Sequence, residues 1–589
     1  MNFLTIFLLA VSVQFCLSFE DTEDLTLHIN DGEILGRYMT SESGRVVKAF
    51  MGIPFASPPV GNLRFRAPQR VEPWNVTLLT QNEHPKCPQI DTFFGGATPT
   101  IEGEENCLFL NVYVPETSTG EPLDVLVWIH GGAFVLGTAG VSSYGPDYLL
   151  DHDVIVVAGN YRLGMLGFLS TEDRVSPGNF GLKDQSFLLQ WVQENIHHFG
   201  GNNDSVTIWG ESAGGASVHY QMISPMSRGL FHKAILNSGT LNNGWCDPAR
   251  TGVARRQAFN LAEHVGCRTN DTTTEEIVEC LRGTSIQDIL SYSASAPFPV
   301  VENFEADEMA FIGERNFDDL HSNSVEIPML LGMNTEEGLL NIATPLSNSL
   351  VLDNLITTWD QTLASSFGFG HLSGSEQEAV TNKLNAFYFG RETTPTNQLD
   401  RNHLVDLFTD GGFIGIVETI RHRLSHSNHN HTYVYLYTQK GTAGFSAATE
   451  FFGTSHADDL IPLFPMRKVA FYSTIPSEHD RELTRLMTLM WTNFVKTGNP
   501  TPDSTATPIW PLATHFPLDY MQIGNENGKF DSQILQPRVD YYSHRANFWM
   551  ELRDEHRISS WLHDSSSSAG RYSVSLVGLL LTMMCMHFV

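Results

Sequence analysis

Ser205-Val206-Thr207-Ile208-Trp209-Gly210-Glu211-Ser212-Ala213-Gly214-Gly215-Ala216 is the stretch on which the reading of this chain turns. Ser205 to Trp209 is rich in β-branched residues and reads as a strand, and Ala216 to Met222 reads as a helix. Between them a strand-to-helix turn would crowd its own backbone, so its flanks must be glycine or very small. The serine at its apex is then pushed into a cleft, the geometry of a nucleophile elbow. An ordinary glycine turn would not need the strand before it and the helix after it. Ser212 is therefore the candidate nucleophile.

Outward from the elbow, Leu108 to Val114, Val125 to Ile129 and Val154 to Ala158 are short, continuous apolar runs, as buried strands require. Phe187 to Phe199 has helical spacing. Pro328 to Leu331 and Thr432 to Tyr437 read as later strands, and Asn348 to Thr409 as helices and loops that would wall a cleft. Alternating strand and helix predicts an α/β fold with a large, mostly parallel central sheet covered by helices on both faces. No fixed-period repeat interrupts the chain, so 19–564 reads as one folded domain.

A serine hydroxyl attacks poorly unless a base takes its proton, and the tetrahedral oxyanion needs prepositioned N–H donors. His130-Gly131-Gly132-Ala133-Phe134 follows the strand Val125 to Ile129, and its glycines let backbone amides approach a bound carbonyl. Gly131 and Gly132, with Ala213, are the expected oxyanion hole.

These motifs, together with Phe50 to Ala56, Glu105 to Val112, Asn160 to Gly164, Gly178 to Gln185 and Trp491 to Phe494, make the chain resemble the type-B carboxylesterase and cholinesterase family over nearly all its length. The resemblance implies the α/β-hydrolase fold and a serine hydrolase that cleaves carboxylic esters through an acyl-enzyme. In that family the triad acid is a glutamate. Gly332-Met333-Asn334-Thr335-Glu336-Glu337-Gly338 matches it, with Glu337 preferred and Glu336 the weaker candidate. Gly453-Thr454-Ser455-His456 matches the base segment, so Ser212, Glu337 and His456 stand in the nucleophile-acid-base order of this fold.

The same resemblance bears on substrate. Cholinesterases seat a quaternary ammonium over a tryptophan inside the first disulfide loop, and no tryptophan occurs between Cys87 and Cys107. Acetyl-preferring members narrow the acyl pocket with aromatics before a Pro-Val-Val stretch. Here Ser295, Ala296 and Pro297 precede Phe298 and Pro299-Val300-Val301. The juvenile hormone esterase branch carries glutamine before the serine, where this chain has Glu211. A small-molecule ester of moderate size with an apolar acyl group is expected, rather than a choline ester. Neuroligin-like adhesion proteins share the fold but have lost catalytic residues, and the intact set here favours an enzyme. Neither a cofactor nor a metal is expected; the cluster His422, His426, His429 and His431 lacks a matching cysteine or carboxylate set.

Met1 to Ser18 has the short polar start, apolar run and small-x-small end of a signal peptide. Ser565 to Gly570, a brief spacer and the apolar run Val574 to Val589 match a glycolipid-anchor signal, which assigns 565–589 to a tail exchanged for a membrane anchor. Of seven cysteines, Cys16 and Cys585 fall in these segments. Local spacing favours Cys87 with Cys107 and Cys267 with Cys280, which leaves Cys246 unpaired, although spacing does not by itself settle connectivity. Asn75, Asn203, Asn270 and Asn430 head sequons. The net charge of −31 disfavours nucleic acid as a partner.

Overall fold

The computed structural model describes residues 25–91, 100–118, 120–249, 251–292, 298–302, 310–313, 326–390, 401–426, 431–440, 444, 453–466, 476–503, 508–525, 534–556 and 558. The leader and anchor segments, the Asn430 sequon, His429 and the Ser295 to Pro297 stretch lie outside them. Among the described residues one sheet of eleven strands carries the fold. In chain order these are β1 Arg37–Thr40, β2 Val46–Pro54, β3 Phe109–Pro115, β4 Leu123–Ile129, β5 Val154–Gly159, β6 Gly201–Glu211, β7 Lys233–Asn237, β8 Met329–Asn334, β9 Thr432–Tyr437, β10 Asp519–Ile523 and β11 Leu535–Val539.

Their order across the sheet is β11-β10-β9-β8-β7-β6-β4-β5-β3-β2-β1. The block from β5 to β10 is parallel throughout, and antiparallel pairs close both edges. Continuous apolar runs are explained by burial on both faces. Along β4, Val125, Val127 and Ile129 enter one core cluster, while Leu126 and Trp128 enter the other with Trp209, Ile235 and Leu330. Helices α1 (Phe180–Asn195) and α2 (Ala213–Ile223) cover the first face, and α5 (Glu478–Thr497) packs against β4, β5 and β6.

Two boundaries differ from the sequence reading. The helix expected over Phe187 to Phe199 begins at Phe180, after Asn179 in a left-handed conformation, and tightens into a 3₁₀ turn at Ile196–Phe199. The helix after the elbow begins at Ala213, because the turn is made by one residue only. Asn348 to Thr409 contains helices Ser349–Thr357, Trp359–Ser366 and Gly374–Phe389. It ends inside α4 (Arg401–Phe413), which follows α3 (Leu339–Ser347) in this numbering.

Cys87 is bonded to Cys107 and Cys267 to Cys280, each closing a short loop, and Cys246 is a buried free thiol. Burial pushes that thiol's pKa well up, so it is unreactive packing rather than a nucleophile. Asn75 and Asn270 are exposed, whereas the Asn203 side chain is half-buried. Among the described residues no helix is long and apolar enough to cross a membrane, and no group of His, Cys, Asp and Glu is placed to hold a metal.

Candidate active site

The elbow sits at the C-terminal end of β6, where a parallel sheet opens its crevice. Ser212 has φ 58° and ψ −124°, a strained conformation for a residue with a side chain. It persists because the surroundings over-determine it. Ser212 N–H donates to the Asn237 carbonyl at 2.9 Å, and the Ser212 carbonyl accepts from Ala216 N–H at 2.9 Å. A Cβ on Gly210 would run into the Gly214 backbone, and one on Gly214 into the Ile129 carbonyl. These close approaches are what the glycine spacing of the sequence encodes.

Glu337 lies on the turn after β8 and is fully buried. Its Oε1 accepts from Asn334 N–H at 2.7 Å, from Asn334 Nδ2 at 3.1 Å and from the Ser238 hydroxyl. Its Oε2 stands 2.5 Å from His456 Nδ1. Glu336, the other candidate, faces away. It accepts from Thr454 N–H at 2.8 Å and from the Thr335 hydroxyl, and so ties the acidic turn to the histidine turn without touching the imidazole.

The other ring nitrogen of His456 faces Glu211, with Oε1 3.0 Å from Nε2. The approach is off the N–H direction, since this oxygen has no hydrogen-bond partner. The Ser212 hydroxyl has no hydrogen-bond partner among the described residues, which is common for catalytic groups before substrate binds. Burial by itself would lower the pKa of His456, but Glu211 and Glu337 outweigh it and hold the imidazole well above its usual value. Burial also raises the Glu211 carboxyl, partly offset by His456. Phe413, at the end of α4, lies 5.0 Å from the His456 ring and next to Trp245, so the imidazole is flanked by packed aromatics.

Four functional groups escaped the sequence reading. Glu211 was seen only as a departure from a branch pattern. Ser238 and Asn334 hold Glu337. Asp459 accepts from Tyr435 Oη at 2.6 Å, Asn237 Nδ2 at 2.8 Å and Asn334 Nδ2 at 3.2 Å, so it ties the histidine turn to β9 and to the ends of β7 and β8, the strand ends beside the elbow and the Glu337 turn. Burial, with Glu337 and Glu211 adding to it, pushes Asp459 up to about 7. For Asp459 and Asn334 the signal was present, because both lie within the segments that contain His456 and Glu337.

The turn after β4 lies over the elbow. A Cβ on Gly131 would stand 2.6 Å from the Glu211 carbonyl and 3.1 Å from Ser212 Cβ. Gly132, Ala133 and Phe134 take φ of 109°, 53° and 62° in succession. The amides of Gly131, Gly132, Ala133 and Ala213 find no acceptor among the described residues. Ala133 thus joins the expected donors; its ordinary side chain had hidden it.

A doubly covered, mostly parallel sheet with a strained serine elbow at a strand end is an α/β-hydrolase. The carboxylesterase family model matches residues 23–549, and the chain belongs to that family. It is 34% identical to the juvenile hormone esterase of Tribolium castaneum, over 80% of this chain and 83% of that one. It is 35% identical to esterase FE4 of Myzus persicae, over 84% and 87%. The crystal structure of juvenile hormone esterase from Manduca sexta, with OTFP covalently attached, aligns with a TM-score of 0.76 at 28% identity, covering 91% of this chain and 100% of that one. The protein is a carboxylic ester hydrolase.

Proposed function

We propose that this enzyme cleaves carboxylic esters through an acyl-enzyme on Ser212, with His456 as base and then acid, and Glu337 holding the imidazole. The observation that carries the reading is the 2.5 Å contact between Glu337 Oε2 and His456 Nδ1, in a buried site that also holds the Ser212 elbow. His456 takes the Ser212 proton through Nε2 as Oγ bonds to the ester carbonyl carbon. The oxyanion falls among the amides of Gly131, Gly132, Ala133 and Ala213. The alkoxide leaves with the proton from His456. Water then attacks the acyl-serine by the same route in reverse, and the carboxylic acid is released. A covalent organophosphate should add one phosphoryl group to Ser212; an intact mass unchanged after prolonged exposure would overturn the assignment.

The substrate we infer is an ester with an apolar acyl group, supported by the apolar packing of Phe413 and Trp245 beside His456 and by the lack of tryptophan between Cys87 and Cys107.

We further infer that the single domain 19–564 travels the secretory pathway, loses 1–18, carries glycans at its sequons and is anchored by a glycolipid attached within Ser565 to Ser568. The two disulfides support an oxidising compartment. Phosphatidylinositol-specific phospholipase C should release active enzyme from intact cells. Recovery of a peptide containing Met583 from the mature protein would refute the anchor.

A further inference from the structure

The segment from Glu83 to Gln89, which leads into the Cys87–Cys107 loop, runs beside the turn that carries the Gly131 and Gly132 amides, and three side chains fasten the two together. The Glu83 carboxylate accepts from Val141 N–H. Asn160 accepts from Ala139 N–H at 2.9 Å and donates to the Pro85 carbonyl at 3.4 Å. Gln89 clamps Gly137 from both sides. Its Nε2 donates to the Gly137 carbonyl at 2.8 Å, and its Oε1 accepts from Gly137 N–H at 2.8 Å. The same Nε2 reaches the Cys87 carbonyl at 3.0 Å. Gln89 is 3% exposed, so these bonds are shielded from competing water.

What Gly137 packs against gives the clamp its consequence. At φ 123° its α-carbon faces the Gly131 carbonyl, and a Cβ there would stand 2.5 Å from that oxygen and 2.7 Å from His130 Cε1. His130 Nδ1 lies 2.9 Å from the same carbonyl, with its ring stacked on Tyr161, whose hydroxyl donates to the His130 carbonyl at 3.0 Å. Burial pushes His130 down to about 4, so the ring is neutral at physiological pH and donates from Nδ1. The Gly131 carbonyl is therefore held on one side by a hydrogen bond and on another by Gly137. That carbonyl shares a planar trans peptide with Gly132 N–H, so holding the oxygen aims the N–H in the opposite direction.

We propose that Gln89 is a positioning residue for ester hydrolysis: by holding Gly137 against the Gly131 carbonyl, it aims the Gly132 amide at the developing oxyanion. This rests on the reading of Gly132 as an oxyanion donor. The first disulfide loop then belongs to the catalytic frame, because it delivers Gln89.

The test uses the full chain carrying Gln89→Ala or Gln89→Glu, with active sites counted by organophosphate titration. Gln89→Glu keeps the shape but turns the donor into an oxygen facing two carbonyls. Both variants should lose about 10- to 100-fold in kcat per titrated site, the loss expected when an oxyanion donor is mispositioned. KM should change by less than about threefold, since ground-state binding is not involved. Affinity for an aryl trifluoromethyl ketone, which forms a tetrahedral oxyanion on the serine, should fall by the same factor as kcat/KM. The matching secondary alcohol, which forms no adduct, should bind as it does to the parent. Unchanged kcat per site and unchanged ketone affinity, with only a lower Tm, would reduce Gln89 to packing and overturn the proposal. Should Gln89→Ala fail to fold, Gln89→Glu decides by the same readings. If Ser212 resists organophosphate labelling, the underlying reading fails; if Ser212 is labelled and kcat per site is unchanged, only the role of Gln89 fails.

Discussion

The nucleophile elbow and the histidine turn meet at the 3.0 Å approach of Glu211 to His456, yet they are held in opposite ways. The elbow is held by exclusion. Gly210 and Gly214 leave no room for side chains, and the strand and helix on either side allow one backbone path. Ser455 to Asp459 is held by attachment, through bonds from segments far away in sequence. Glu337 grips the His456 ring, Glu336 accepts from Thr454, and Asp459 draws Tyr435, Asn237 and Asn334 together. A steric device is nearly all-or-none, because backbone cannot overlap. A polar network can be loosened one bond at a time, so the histidine turn is where rate and pH response can be tuned.

Substitutions on the two sides should therefore differ in kind. Ser212→Ala removes the one reacting atom the elbow presents and should cost about 10⁶-fold in kcat, leaving what the oxyanion donors and binding supply. Turnover above about a thousandth of the parent rate, measured on a nitrophenyl ester, would show that the elbow does not carry the nucleophile.

Glu337→Gln leaves the shape of the network but removes the charge that favours imidazolium and fixes the tautomer. It should cost about 10⁴-fold in kcat with the fold intact. Equal or greater loss in Glu336→Gln, with Glu337→Gln active, would reverse the choice between these neighbours and the contrast built on it.

The smallest effect tests the junction itself. His456 must be neutral to accept the Ser212 proton, so activity rises with pH as the imidazole deprotonates. Glu211 and Glu337 hold its pKa above the usual value, which places the acid limb of the kcat/KM profile above about 6.5. Glu211→Gln removes one of the two charges and should shift that limb to lower pH by about one unit, with a change in the plateau rate of less than about tenfold. An unmoved limb would mean that Glu211 shapes the elbow without acting on the histidine.

How much could be read in advance follows the same division. The elbow was legible because its cause is local: strand composition, glycine spacing and the helix that follows all lie within Ser205 to Met222. Glu337 and His456 were legible through family resemblance and chain order, since nothing in their own neighbours singles them out from among the 23 histidines and 66 acidic residues of the chain. The free amide of Ala133 was not legible, because it follows from the left-handed backbone there rather than from the side chain. Gln89 was equally silent. A glutamine two residues after a cysteine has no distinguishing pattern until folding brings Gly137 against it.

The sequence by itself determined the two-faced parallel sheet, through continuous apolar runs, and the serine elbow, through the steric demand of a one-residue turn. Those are properties of residues near one another along the chain. Tertiary structure alone decided that Glu211 stands on the other side of the imidazole from Glu337, that Glu336 turns to Thr454 instead, and that Asp459 ties the histidine turn to three strands. It also decided that the first disulfide loop reaches the oxyanion turn. Hydrogen bonds and charge pairs depend on distance and direction between groups that are separated by 222 residues for Asn237 and Asp459, and by still more for Glu211 and His456, and only the folded chain sets those.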